Sequence, residues 1–130
     1  LARERRELVL ATFPALSTRL NDSAGKLSGG QQQQLALAKA LLLEPKLLCI
    51  DELSLGLAPI VVGELLKIVR QLNERGITVV VVEQSLNIAA QLCDRAIFLE
   101  KGQVRFEGRP ADLLEQDDIA RAVFFGASAG

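Results

Sequence analysis

With 130 residues, 49% of them apolar, the chain has the size and composition of one domain with a modest core and is not a disordered tail. Its net charge is −1, its acids and bases are interspersed, and it has no Trp or Tyr, so there is neither an electrostatic nor a stacking case for nucleic acid. The lack of His excludes His-based triads and His-liganded zinc, and no apolar run reaches the length of a membrane span.

Residues 2–13 read as a charged amphipathic helix ended near Pro14. This pattern opens without an initiator Met, a cap or a signal peptide, as expected of a piece of a longer chain. Residues 17–30, rich in Ser, Asn, Asp and Gly, read as a loop. Residues 30–43 are dominated by Ala, Leu, Gln and Lys and predict a strong helix that stops before Pro45, with Gln32, Gln33 and Gln34 on an exposed polar face. The run "KLLCI", 46–50, suits a strand buried on both faces. A turn over 53–59 leads into a helix with Pro59 as its first residue. That helix runs to about residue 75 with Val61, Leu65, Ile68 and Leu72 on its inner face, and Gly76 closes it.

"ITVVVVE", 77–83, is the clearest strand, apolar on both faces. Strand, helix and strand in that order make a βαβ unit, which requires a parallel pair and a right-handed crossover. A helix is expected over 85–93, a hairpin over 95–108 about Lys101-Gly102, and short helices over 110–116 and 118–125 before a frayed tail. Cys49 and Cys93 form no CxxC and sit among apolar residues, as reduced, buried thiols of a cytosolic protein do.

Two short stretches carry chemistry. In Ser28-Gly29-Gly30-Gln31, Ser followed three residues later by Gln is a capping box and marks a helix start. It is either a cap alone or an anion site, where two glycines admit a ligand to free N–H groups at the positive end of a helix. In "LLCIDE", 47–52, two acids end an apolar strand, the edge where parallel α/β sheets bind ligands. On an extended backbone Asp51 and Glu52 point apart, so one can hold a metal while the other acts as a base on water. The alternative is two solvated acids.

Together these stretches resemble the nucleotide-binding domains of ABC ATPases. "LSGGQ", 27–31, matches the family's signature and "LLCIDE" its Walker B strand. "DELSLGLAPIVV" and "VVVVEQSLNIAAQLCDRAIFLEKGQVRFEG" look most like the ATPase subunits of branched-chain amino-acid importers, with the urea and amide importers similar. The resemblance implies an α/β fold: part of a P-loop NTPase domain, with a mostly parallel sheet and flanking helices. It implies that residues 1–130 are the C-terminal portion of one such domain. Residues 1–45 would end the helical subdomain and supply the signature helix. Residues 46–108 would carry Walker B, the D-loop, the switch strand and the hairpin, and 109–130 the last helices and tail.

The resemblance further implies that ATP is trapped between two such domains paired head to tail. Ser28, Gly29, Gly30 and Gln31 would touch the γ-phosphate of ATP held by the partner domain. Asp51 would help hold Mg²⁺ and Glu52 would polarise the attacking water. Ser54, Leu55, Gly56, Leu57 and Ala58 would form the D-loop, and Gln84 would stand at the switch position where most of the family has His. Transmembrane permease subunits, the cytoplasmic face of the inner membrane and no nucleic-acid partner belong to the same expectation. This sequence departs from the pattern in having no G-x-x-x-x-G-K-[ST] and no Q-loop Gln, Leu53 for the usual Pro, and Ala58 for Asp. It also supplies no Walker A strand to stand between those of 77–83 and 95–100, so two sheet edges would be left unpaired and these residues alone would be inactive and unstable as a monomer. The open alternatives are a non-hydrolysing assembly module and a non-transport ABC ATPase acting on DNA or the ribosome.

Overall fold

Pro14 ends the first helix, because it cannot continue the hydrogen-bond ladder. In the computed structural model, which describes residues 1–113, 115 and 116, α1 (Ala2–Thr12) stops before it. Pro14 then serves as the first residue of a short α2 (Pro14–Ser17), and a single 3₁₀ turn forms at Ala24–Lys26. The stretch 17–30 is therefore less irregular than its composition suggests. Phe13, between the two helices, is fully buried.

The described residues divide into two units, at Val82 and Glu83. In the first, α1 packs on α2 and α3 (Gly29–Leu41), α3 packs on α4 (Pro59–Glu74), and α4 packs on β2 (Thr78–Val82). The buried face of α4 is Val62, Leu65, Leu66, Val69 and Leu72. Leu65 and Leu72 fall on it as expected, but Val61 and Ile68 are half-buried, because the face is rotated by about one residue. The end of α4 is tied down by its glycine. Gly76 takes φ +94°, its N–H donates to the Asn73 carbonyl, and the Ile77 N–H reaches back to the Leu72 carbonyl, the pattern of a Schellman cap. Arg75 Nη1 donates to Thr12 Oγ1 at 2.8 Å, linking this end to α1.

β1 (Leu47–Asp51) and β2 pair in parallel, from Leu47 with Thr78 to Asp51 with Val82. The βαβ reading holds, but the strands are not covered on both faces. Leu48 and Ile50 are buried, whereas Leu47, Cys49, Val80 and Val82 are exposed on the other face. Cys49 is thus an exposed thiol and not the buried one expected, since period-2 alternation puts it beside Leu47 on the open side.

The second unit contains α5 (Leu86–Leu92), the antiparallel strands β3 (Ala96–Glu100) and β4 (Gln103–Gly108), and α6 (Pro110–Leu113). Lys101 and Gly102 both take positive φ, +50° and +78°, as a two-residue type I′ hairpin turn requires. Leu86 and Leu113 form its core, with Phe98 and Phe106 packed against them. The helix expected over 118–125 and the tail lie outside the described residues. Among the described residues the sheets are two-stranded, one parallel and one antiparallel, so β2 has β1 as its neighbour and β3 has β4.

Candidate functional site

The capping box forms in full. Ser28 Oγ accepts from the Gln31 N–H at 3.2 Å, and Gln31 Oε1 accepts from the Ser28 N–H at 3.0 Å. The first intrahelical bond runs from the Gln32 N–H to the Ser28 carbonyl at 2.8 Å, so the amides of Gly29 and Gly30 lie ahead of the ladder. The Gln32 side chain donates to the Leu27 carbonyl and braces the preceding turn. Gln34, read as part of an exposed polar face, is instead 5% exposed, because it lies on the side of α3 that carries Leu37 and Ala38.

This helix start packs against the segment that follows β1. A Cβ built on Gly29 would lie 3.3 Å from Leu57 Cδ2, and one on Gly30 only 2.3 Å from Val61 Cγ1. The first turns of α3 and α4 therefore touch. Neither turn contains an acid, and Ala58 before α4 supplies no side-chain cap, so two positive helix ends stand side by side with no protein carboxylate in either first turn. Beside them lies a groove lined by Gly29, Gln32, Gln33, Leu55, Gly56 and Leu57. Gly56, at φ +72°, supplies the left-handed residue of this turn. A second groove, lined largely by apolar residues including Val9, Leu16, Leu35 and Leu42, holds neither signature glycine and neither strand-end acid.

The two acids end β1 as expected, with different backbones. Asp51 closes the strand, exposed and in register with Val82. Glu52 has φ +51°, the left-handed region, which costs a residue with a Cβ about 1–2 kcal/mol. Two features hold it there. Its N–H donates to the Val82 carbonyl at 2.8 Å, and the next residue, Leu53, is buried to 1% exposure. Leu53, which stands where the family pattern has Pro, thus anchors the turn in the core. Residues 54–58 then turn through the Leu57 N–H to Ser54 carbonyl bond and enter α4.

Gln84 lies in the second unit, exposed, in the bend before α5, where Ser85 Oγ caps the helix by accepting from the Ile88 N–H at 3.4 Å. At the other end of α5, Cys93 is half-buried, and burial, helped by the neighbouring Asp94 carboxylate, raises its thiol pKa, which keeps it protonated. Reading the sequence missed Val61, Leu57 and Leu53 as supports of the site. Gly30 was the available signal, because a glycine in a helix start needs a reason.

Comparison with known proteins bears on this geometry. Residues 2–54 match the family described as ABC transporter. The chain is 45% identical over 118 residues to the high-affinity branched-chain amino acid transport ATP-binding protein BraG of Pseudomonas aeruginosa, a match covering 91% of this chain and 51% of that protein. The chain belongs to the ABC transporter ATPase family. The arginine transport ATP-binding protein ArtM of Bacillus subtilis is 33% identical over 124 residues, 95% of this chain and 51% of that protein. Among solved structures, the ADP conformation of MJ1267, an ATP-binding cassette of an ABC transporter, superposes with a TM-score of 0.85 at 28% identity, covering 96% of this chain and 50% of that one. The fold is thus that of an ABC ATPase, an α/β P-loop NTPase, and the chain spans about half the length of the relatives it matches.

Proposed function

We propose that this chain is the C-terminal portion of the ATP-binding and ATP-hydrolysing subunit of an ABC importer for branched-chain amino acids or a related small polar solute such as urea or an amide. The subunit works at the cytoplasmic face of the inner membrane with transmembrane permease subunits. Among the described residues no helix is long and apolar enough to cross a membrane. The observation that carries the reading is the packing of the glycine turn at the start of α3, whose Gly29 and Gly30 amides lie ahead of the helix ladder, against the segment leaving the strand-end acids, within one unit.

In this reading Ser28, Gly29, Gly30 and Gln31 present N–H groups and a helix end to the γ-phosphate of ATP held by a second, head-to-tail ATPase domain. Residues 54–58 face that domain as the D-loop. The donor set at the strand end suits Mg²⁺: Asp51 is an exposed carboxylate, and this ion takes one or two carboxylates with phosphate and water oxygens. Asp51 would hold it, and the charge it would supply there would offset that of the phosphates. Glu52 accepts a proton from the attacking water, and its left-handed backbone sets the direction of the carboxylate. Gln84 donates a side-chain N–H to phosphate and, unlike His, carries no titration near neutral pH.

The test uses the complete protein. Glu52→Gln keeps the shape of the pocket and removes the base, so ATP binding persists while turnover falls by about 10²–10⁴-fold. Parental turnover in Glu52→Gln refutes the base assignment. A wild-type protein that assembles without hydrolysing ATP supports the alternative, a non-hydrolysing module.

A further inference from the structure

Gly30 is buried in the first turn of α3, and its backbone is not left-handed. Conformational freedom is therefore not what requires glycine there, and glycine is a poorer helix former than alanine. Something else excludes a side chain. The three atoms nearest to a Cβ built on Gly30 all belong to Val61: Cγ1 at 2.3 Å, Cβ at 3.6 Å and Cγ2 at 3.8 Å. Gly63, also helical, has nothing within 4 Å at the same point, and Gly29 meets the end of the flexible Leu57 side chain at 3.3 Å. Val61 cannot give way as Leu57 can. It is β-branched, near the start of a helix that Pro59 opens, and one χ1 rotamer dominates for valine in helices.

We infer that Val61 is a positioning residue for the signature turn: its side chain, seated on the Cα of Gly30, imposes glycine at 30 and locks the first turn of α3 to the first turn of α4. The turn of residues 54–58 leads directly into α4, so the clamp ties the first turn of α3 to the Leu55–Leu57 wall of the groove. This rests on the functional reading above for its effect on turnover, because the clamp matters to catalysis only if those amides meet phosphate. The requirement for glycine is then internal to the chain, and close approach of a ligand to Gly30 is not its cause.

A cycle of four complete proteins tests it: wild type, Gly30→Ala, Val61→Ala and the double variant. Gly30→Ala displaces the turn, and kcat falls by ~100-fold while the KM for ATP stays within about two-fold. Val61→Ala alone loosens the clamp and lowers kcat by about three- to ten-fold, again with little change in KM. In the double variant the new methyl has room, and kcat recovers at least ~10-fold over Gly30→Ala. Tm measured without nucleotide follows the same cycle, low in Gly30→Ala and regained in the double variant. If Tm is regained but kcat stays at the Gly30→Ala level, the ligand requires the glycine as well, and the inference that Val61 positions the turn for catalysis falls. If neither is regained, the steric contact is wrong and the inference falls with it. Should Gly30→Ala not accumulate as folded protein, recovery of folded protein in the double variant carries the same support, and no recovery the same refutation. A wild type without ATPase activity overturns the functional reading alone, and the Tm cycle still decides whether Val61 imposes the glycine.

Discussion

Among the described residues the two units of this chain are packed unequally. In the first, Phe13, Leu53, Leu65, Val69 and Leu72 are all 1% exposed or less. In the second, among the described residues, Leu86 at 8% and Leu113 at 2% are the buried apolar centre, and the two phenylalanines that complete it are only half-buried. The difference shows where rigidity is spent. The unit that carries the signature turn, the acids and the turn after them is the one with a closed core. Glu52 can stay in a left-handed conformation because Leu53 is locked beneath it. Among the described residues of the other unit, Gln84 stands in the bend before a capped helix start, and the hairpin turn at Lys101-Gly102 is likewise local chemistry.

That contrast can be broken most sharply in the cores. Leu65→Ala, at a site with no exposure, is expected to cost about 2–5 kcal/mol by chemical denaturation of the complete protein, through lost burial and a cavity. Phe106→Ala, at a half-buried site, is expected to cost about half as much. Equal costs would show that the second unit is as tightly packed as the first.

The helix starts give a finer comparison. Ser28→Ala breaks one arm of a two-way box and is expected to destabilise by ~1 kcal/mol, with the amides of the first turn of α3 exchanging faster. Ser85→Ala removes a single 3.4 Å bond and falls at the low end of the same range, about 0.5 kcal/mol. Faster exchange confined to α5 in the Ser28 variant would contradict the assignment.

Strain offers a gain in place of a loss. Glu52→Gly removes the Cβ penalty at φ +51° and is expected to raise stability by ~1 kcal/mol while abolishing turnover, so that activity and stability move in opposite directions. A less stable Glu52→Gly protein would mean that the carboxylate's contacts outweigh the strain.

The smallest effect belongs to the thiols. The folded-state pKa of Cys93 is raised, so its contribution to stability is complete below the ordinary thiol value of 9.0 and is lost as pH rises through that of the folded state. Cys93→Ala is therefore expected to flatten the alkaline end of a Tm-against-pH curve. An unchanged curve would assign the alkaline loss to other groups.

Local chemistry was legible from residues alone. The capping box at Ser28 and Gln31, Pro59 opening α4, Gly76 closing it and the Lys101-Gly102 turn each depend on neighbours in sequence, and each stands in the structure. The family resemblance was legible for the same reason, because the stretches 27–31 and 47–52 that carry it are contiguous. Tertiary packing decided the rest. It rotated the inner face of α4 away from Val61, buried Gln34, left Cys49 on an open face, and twisted Glu52 into a left-handed backbone held from across the sheet by Val82. It also set Val61 against Gly30, two residues separated by a whole strand and turn. Propensity and periodicity report what each segment prefers by itself. Which side chain meets which glycine depends on how two helix starts come together, and that is fixed only when the core closes.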